Sequence, residues 1–379
     1  MIVTFPHMGI MSLVLKTLFS TMGCQVLPPP PLTRRTLELG IKFSPETVCL
    51  PFKTTLGNFI EALEQGADTL VTCGGSGPCR LGYYAAVQQQ ILAELGYTFR
   101  MITVEPSIAQ IYKQIKYLAP ETGWQTIYQA FRLAGAKMNL LDDLQRQIHR
   151  IRPRALERGA VEDIWEQAAL SVGEAATFQL VQARRKELFT KLQTVKLNTE
   201  ALPLRVAIVG EIYVMLEDFV NQDLERCLGF MGVEVSRTMF LSDYVRGHIL
   251  RRRSYIELYK TLSAMARPYL GHYVGGHGLK SIANTLLKKQ QGYDGIIQVY
   301  PFTCMPEVIA KNILPKVSRD VDMPVLTLAY DEQTGEAGVM TRLEAFIDLL
   351  RYRQRKCSQT VLGAPIYMKS AKDSCRGGQ

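Results

Sequence analysis

Three cysteines in this chain, Cys49, Cys79 and Cys304, share one local setting. Each stands beside proline or glycine, in a stretch that interrupts regular structure, just ahead of a helical pattern. A thiol at a helix start meets free backbone N–H groups and the positive end of the helix dipole, and both favour the thiolate. Thiolates placed this way act as nucleophiles or as metal ligands. The other cysteines read differently. Cys24 adjoins a strand and Cys227 falls inside a helical pattern, so both are expected in the core. Cys357 and Cys375 belong to the C-terminal tail. Cys73 ends a strand, and its side chain faces either core or site.

Long stretches of chain separate the three. Zinc fingers use closely spaced pairs, and ferredoxin runs use short repeated spacings; neither pattern is present. A Cys–His–Asp nucleophile would leave two of the three thiols without a role. A cubane iron–sulfur cluster suits them better. Three protein thiolates would bind three irons and leave the fourth open to water, substrate or another ligand. Helix-start amides could then hydrogen-bond the sulfides and tune the potential.

The stretch Cys73-Gly74-Gly75-Ser76-Gly77-Pro78-Cys79-Arg80 indicates what must position such a set. Residues 67–72 read as a short buried strand after a helix stop at Gly66, and residues 81–95 as a helix. A strand that breaks into glycines and opens a helix puts its loop at the carboxyl edge of a sheet, where open α/β folds place their chemistry. Gly75, Ser76 and Gly77 let backbone approach a bound group closely, and Arg80 adds charge.

The same alternation runs along the chain. Residues 2–5, 25–27, 69–72 and 98–105 read as strands, with helices at 7–21, 54–64, 81–95 and 107–117. Pro45 and Pro51 keep the backbone around Cys49 irregular. Residues 121–199 lack strand patterns and read as several helices. A second unit follows, with strands at 204–211, 233–235, 295–300 and 324–328 and helices at 217–231, 242–267, 278–291 and 339–353. Short connections in βαβα order predict an α/β fold with parallel sheets. The expected division is 1–120, a helical connecting region 121–203, a second unit 204–355 and a tail 356–379. A weak repeat links the units. Gly66-Ala67-Asp68-Thr69-Leu70-Val71 leads to the Cys79 loop, and Gly292-Tyr293-Asp294-Gly295-Ile296-Ile297 leads to the Cys304 loop. Two such halves facing each other would bring those loops together.

Composition sets the outer bounds. The chain has 379 residues, 47% of them apolar, a net charge of +9, eight cysteines and five histidines. It is long enough for two domains. It holds no apolar run long enough for a membrane span, and residues 1–7 lack the features of a signal peptide, so a cytoplasmic protein is expected. Eight cysteines in such a chain read as buried, metal-binding or reactive rather than as disulfides. Basic clusters at 150–154, 184–186, 251–253 and 351–356 lie in helical patterns and read as solvated faces or as docking surface for an anionic partner. No nucleic-acid-binding signature is present.

Three motifs resemble the 2-hydroxyacyl-CoA dehydratase superfamily, most closely its branch of activase-related and double-cubane-cluster proteins. They are Phe43-Ser44-Pro45-Glu46-Thr47-Val48-Cys49-Leu50-Pro51-Phe52-Lys53, Gly74-Gly75-Ser76-Gly77-Pro78-Cys79-Arg80-Leu81-Gly82-Tyr83-Tyr84 and Pro301-Phe302-Thr303-Cys304-Met305-Pro306-Glu307. The similarity extends through Val209-Gly210-Glu211-Ile212-Tyr213 and Asp331-Glu332-Gln333-Thr334-Gly335-Glu336-Ala337-Gly338. The resemblance implies two Rossmann-like domains with an oxygen-sensitive cluster between them. It also implies a partner, an ATP-dependent activase with its own cluster, that delivers low-potential electrons. This chain has no GxxxxGK P-loop of its own.

One 4Fe-4S cubane on Cys49, Cys79 and Cys304 is the expected cofactor. The alternative, an 8Fe-9S double cubane, needs more thiolates, with Cys73 among them and Cys24 or Cys227 besides. The expected function is reduction of a small substrate at the cluster. One alternative is a 2-hydroxyacyl-CoA dehydratase that eliminates water by a radical route and works as a homodimer. Another is a non-catalytic, cluster-carrying scaffold. Smaller expectations attach to Lys53 and Arg80, as charge balance or anion contacts, and to Glu332 and Glu336, as proton relays. Gly275-Gly276-His277-Gly278 reads as a helix start or a phosphate loop, with His277 as a proton donor.

Overall fold

Short apolar runs, each released by a turn, build eight strands: β1 (Ile2–Thr4), β2 (Gln25–Val26), β3 (Thr69–Cys73), β4 (Arg100–Val104), β5 (Leu204–Gly210), β6 (Val233–Arg237), β7 (Gly295–Pro301) and β8 (Val325–Tyr330). The computed structural model describes residues 1–75, 77–105 and 107–362, with side chains described as far as Lys356. The fold is α/β, with two four-stranded, all-parallel sheets in the orders β2-β1-β3-β4 and β6-β5-β7-β8. The central strands are largely apolar, as helix-covered parallel strands are, and every residue of β7 is buried, Gln298 included.

The repeat seen in the sequence is a repeat of structure. Gly66 and Gly292, at φ +97° and +72°, end the helices ahead of β3 and β7 in left-handed backbone. The Ala67 and Tyr293 amides then close the same turn, each donating to a carbonyl 3.0 Å away, Ala62 and Lys288. Asp68 Oδ1 accepts from the Ile2 amide at 2.8 Å, and Asp294 Oδ2 from the Arg205 amide at 2.7 Å. Each aspartate thereby pins the start of a neighbouring strand.

Between the sheets in sequence lie the helices Trp124–Ile151, Ala160–Glu174 and Phe178–Thr194. They share a core that includes Leu140, Leu144, Val172, Val181 and Leu188. The first, 28 residues long, also packs on the helix Met11–Thr21 of the first half and on β6 of the second. Its Asp142 accepts from the Ser242 amide at 2.6 Å and its Gln145 from Arg237 at 2.8 Å.

Several boundaries differ from expectation for identifiable reasons. The helix after Cys49 starts at Leu50, not near 54, because Pro51 sits in its first turn, where the missing N–H costs nothing. Residues 217–231 are not one helix. Gln222 and Asp223 are left-handed, at φ +59° and +54°, and divide the segment into Asp218–Asn221 and Leu224–Phe230. Asn221 bridges that break, donating to Val214 O at 2.8 Å and accepting from the Leu224 amide at 3.1 Å. Residues 242–267 are likewise interrupted, by a π-helical turn at Val245–Ile249. The helix Arg34–Phe43, capped by Thr33 and Thr36, is not anticipated by the sequence reading. The last helix, Glu336–Leu362, runs into the expected tail; Ser76, the Cys357 side chain and Cys375 lie outside the described residues. Among the described residues, no helix is long and apolar enough to cross a membrane.

The basic clusters are largely answered by acids. Arg154 pairs with Glu234, Arg185 with Asp143, Arg253 with Glu257 and Arg353 with Asp322.

Candidate functional site

Both sheets reverse strand order beside their first strand, and the connections leaving that point carry the sequence-predicted residues. β3 leads to Cys79 and β7 to Cys304, while β5 ends at Gly210 and hands on to Glu211. All three predicted cysteines are N-cap residues. Cys49 begins the helix Leu50–Glu64, Cys79 the 3-10 turn Arg80–Tyr83, and Cys304 the helix Met305–Asp320. None makes a capping hydrogen bond of ordinary geometry, yet the first-turn amides of Phe52, Leu81 and Glu307 each favour the adjoining thiolate.

The three thiols are half-buried and share an environment. Burial raises all three, and the Glu211 carboxylate raises each of them further. Cys49 also acts on Cys304, across the two halves. The Tyr84 hydroxyl hydrogen-bonds Cys49 Sγ, and Tyr84 is itself pushed well up by burial and by Cys49. Arg80 ties the loops together: Nη1 donates to Thr47 O at 2.9 Å, and Nη2 donates to Thr303 O. Gly275 seals the far side. Its φ is +90°, and a Cβ there would lie 2.9 Å from Pro78 Cγ and 3.2 Å from the Cys79 nitrogen.

Two acids that the sequence reading gave no role stand here. Burial raises Glu211, against the Val214 and Tyr213 amides. Glu307, fully buried behind Cys304, is pushed up to about 7 by burial; Ser281 and Gln298 donate to it at 2.9 and 2.8 Å. Their signals were a carboxylate directly after the β5 run and one three residues past Cys304.

The remaining candidates fall elsewhere. Glu332 accepts from Lys53 Nζ at 2.6 Å, and the lysine is buried, so this pair is an internal tie rather than a surface one. Glu336 opens the last helix in an exposed position and acts on Cys227. Cys73 ends β3 in an exposed position, with Glu105 acting on it. Cys24 and Cys227 contact the carbonyls of Leu118 and Gln222 at 3.9 and 3.8 Å, as core-side cysteines do. Gly75 and Gly77 line the Cys79 loop, Gly77 facing Tyr273. His277 is the N-cap of the helix Gly278–Gln290, pushed down to about 3 by burial and by Lys280, so near neutral pH it is not an imidazolium donor. That helix precedes β7 as the Leu50–Glu64 helix precedes β3. His277 therefore takes, in the second half, the place Cys49 takes in the first.

Among the described residues, no three His, Cys, Asp or Glu side chains converge as the donors of a single metal ion. Compared with known protein families and with curated proteins, the sequence matches no family model and no curated relative.

Proposed function

We propose that this chain is an iron–sulfur protein of the kind its motifs resemble, the 2-hydroxyacyl-CoA dehydratase superfamily, built of two Rossmann-like halves. Cys49, Cys79 and Cys304 would hold a 4Fe-4S cluster between them. Low-potential electrons would come from an ATP-dependent activase partner and pass to a small substrate. The observation that carries the reading is the common environment of the three thiols: three loops, two halves, three helix starts and one carboxylate, Glu211, acting on all of them.

The residues present fit such a group. A cubane takes one thiolate on each of three irons, so its thiolates stand apart. Burial and Glu211 both oppose a bare thiolate, which argues against a free cysteine nucleophile, since reactive thiols sit in electropositive surroundings. A cationic iron core would reverse that balance, because ligand thiols bind deprotonated. Thr303 Oγ1, next to Cys304, is buried with no hydrogen-bond partner among the described residues.

When bound, the cluster would supply one-electron reduction and an iron with an open position. The protein's own groups do the rest. Arg80 holds the Cys49 and Cys304 loops at fixed separation, Gly275 lets a loop close over Cys79, and Tyr84 fixes the orientation of the Cys49 sulfur.

Anaerobic purification with iron and sulfide analysis tests the reading. About four irons and four sulfides per chain are expected. A colourless protein, or one carrying zinc, would overturn it. With the activase added, ATP-dependent reduction of small molecules set against acyl-CoA turnover then separates a reductase from a dehydratase.

A further inference from the structure

In the second half, against Gly210 at the end of β5, lies a cavity of about 190 Å³. Apolar, polar and charged residues line it. Tyr255, Tyr259, Leu258 and Leu262, from the helix Arg253–Ala266, give an aromatic and aliphatic wall. Lys280, in the first turn of the helix Gly278–Gln290, gives a cation. Asp243 lines it too, its carboxylate already taken up by Arg146 at 2.8 Å and Arg246 at 3.9 Å. Thr238, Ser281 and Asn284 add polar groups, and Gly210, Met239 and His277 complete the lining.

Lys280 is the unusual member. It is 8% exposed, and its Nζ donates to Tyr255 Oη at 3.0 Å and lies 3.3 Å from His248 Nε2. The Tyr255 and Tyr259 ring centres are 5.4 and 5.8 Å away. No carboxylate among the described residues pairs with it. His248 cannot supply a counter-charge, since an imidazole is neutral or cationic; burial and Lys280 push it down to about 4, so it stands neutral beside the ammonium. A buried ammonium left without an anion costs several kcal/mol. Lys53, by contrast, meets an anion, Glu332, at 2.6 Å; Lys137, also without one, meets the Thr17 hydroxyl at 3.1 Å and the Gly173 carbonyl at 2.8 Å. At Lys280, a cavity stands where the anion would be.

We infer that this cavity binds a small apolar carboxylic acid as its anion, with the carboxylate on Lys280 Nζ and the apolar body against Tyr255, Tyr259 and Leu262. The volume suits such a ligand, since a cavity of roughly 150 Å³ accepts benzene. It is too small for a nucleotide, and its aromatic wall does not suit inorganic phosphate. Burial also pushes Lys280 down to about 8, which a bound anion would reverse. Only the acid's place as substrate rests on the iron–sulfur reading; its binding does not.

The test uses full-length protein, purified anaerobically, and phenylacetate as the probe. Calorimetry is expected to show saturable binding to the wild type, at least tenfold weaker binding to Lys280→Met, and equally weakened binding of the neutral phenylacetamide to the wild type. Lys280→Met should keep or raise the melting temperature, because it removes an unpaired buried charge. As a measurement free of any variant, phenylacetate should slow methylation of Lys280 by formaldehyde and borohydride, read by mass spectrometry. A wild type that ignores phenylacetate, amide binding as tight as acid binding, or undiminished binding by Lys280→Met would overturn the inference. Iron and sulfide are measured on the same preparations. Binding by an iron-free protein keeps the cavity and removes the cluster; an iron-loaded protein that ignores phenylacetate does the reverse.

Discussion

Lys53, from the first half, and Glu332, from the second, meet at 2.6 Å with the lysine side chain only 4% exposed. The lysine lies one turn beyond Cys49, so the ion pair locks the Cys49 helix to the loop after β8. Removing one partner of a buried pair strands the other. Lys53→Met is expected to cost about 3 kcal/mol in urea unfolding, and Lys53→Met with Glu332→Gln less than the sum of the two singles. Strict additivity would show that the pair is not coupled.

The cysteines should separate into two groups. Cys49→Ser, Cys79→Ser and Cys304→Ser are each expected to lose at least half of the iron measured after anaerobic purification. Cys24→Ser and Cys227→Ser should keep all of it. Full iron in any one of the first three removes that residue from the ligand set. Eight irons per chain, with loss on Cys73→Ser, would assign the double cubane instead.

Two glycine replacements should have opposite signs. Gly275→Ala forces a Cβ toward Pro78 and Cys79 from a left-handed backbone and should cost more than about 1 kcal/mol. Gly135→Ala, inside the helix Trp124–Ile151 with open space around it, should gain about 0.5–1 kcal/mol. Thermal unfolding of both variants checks the pair.

Acid should loosen the connection between the long helix and β6. Glu225 lies 2.8 Å from His149 Nε2 and 3.3 Å from Arg237. Burial alone would raise it, but Arg237 and His149 outweigh burial and hold it at about 2. A carboxyl with a depressed folded pKa stabilises fully above its unfolded value of 4.5 and loses that contribution as pH falls toward 2. The loss is on the order of 3 kcal/mol. Wild type and Glu225→Gln, unfolded in urea from pH 7 to pH 3, should converge at the acid end. A constant gap would refute the assignment.

Much of this was legible in the sequence. The alternation of strand and helix announced two parallel sheets, and Gly-x-Asp before β3 and β7 announced their likeness, because both signals are local. Cys49, Cys79 and Cys304 stood out because each has a proline one or two residues away, which is rare for a thiol inside ordinary elements. What escaped was non-local or locally ambiguous. The break at Gln222–Asp223 involves no glycine or proline, and its support comes from Asn221 reaching back to Val214. The Thr33–Thr36 cap lacks the acidic partner that usually marks a capping box. Glu332 read as a free loop acid because nothing near it in sequence reveals Lys53. Lys280 carries no local mark that sets it apart from a surface cation. Its burial depends on Tyr255 and His248, which the interrupted 242–267 segment folds over it.

The helix Trp124–Ile151 is about 42 Å long and is fastened at several depths: Lys137 to Thr17, Asp142 to Ser242, Gln145 to Arg237 and His149 to Glu225. It works as a splint. A hinge opening of one sheet from the other would have to bend this rod or shear all of those bonds at once. Even the π turn at Val245–Ile249 is fastened to the rod, by Arg246 donating to Asn139, so the two sheets are held as one frame.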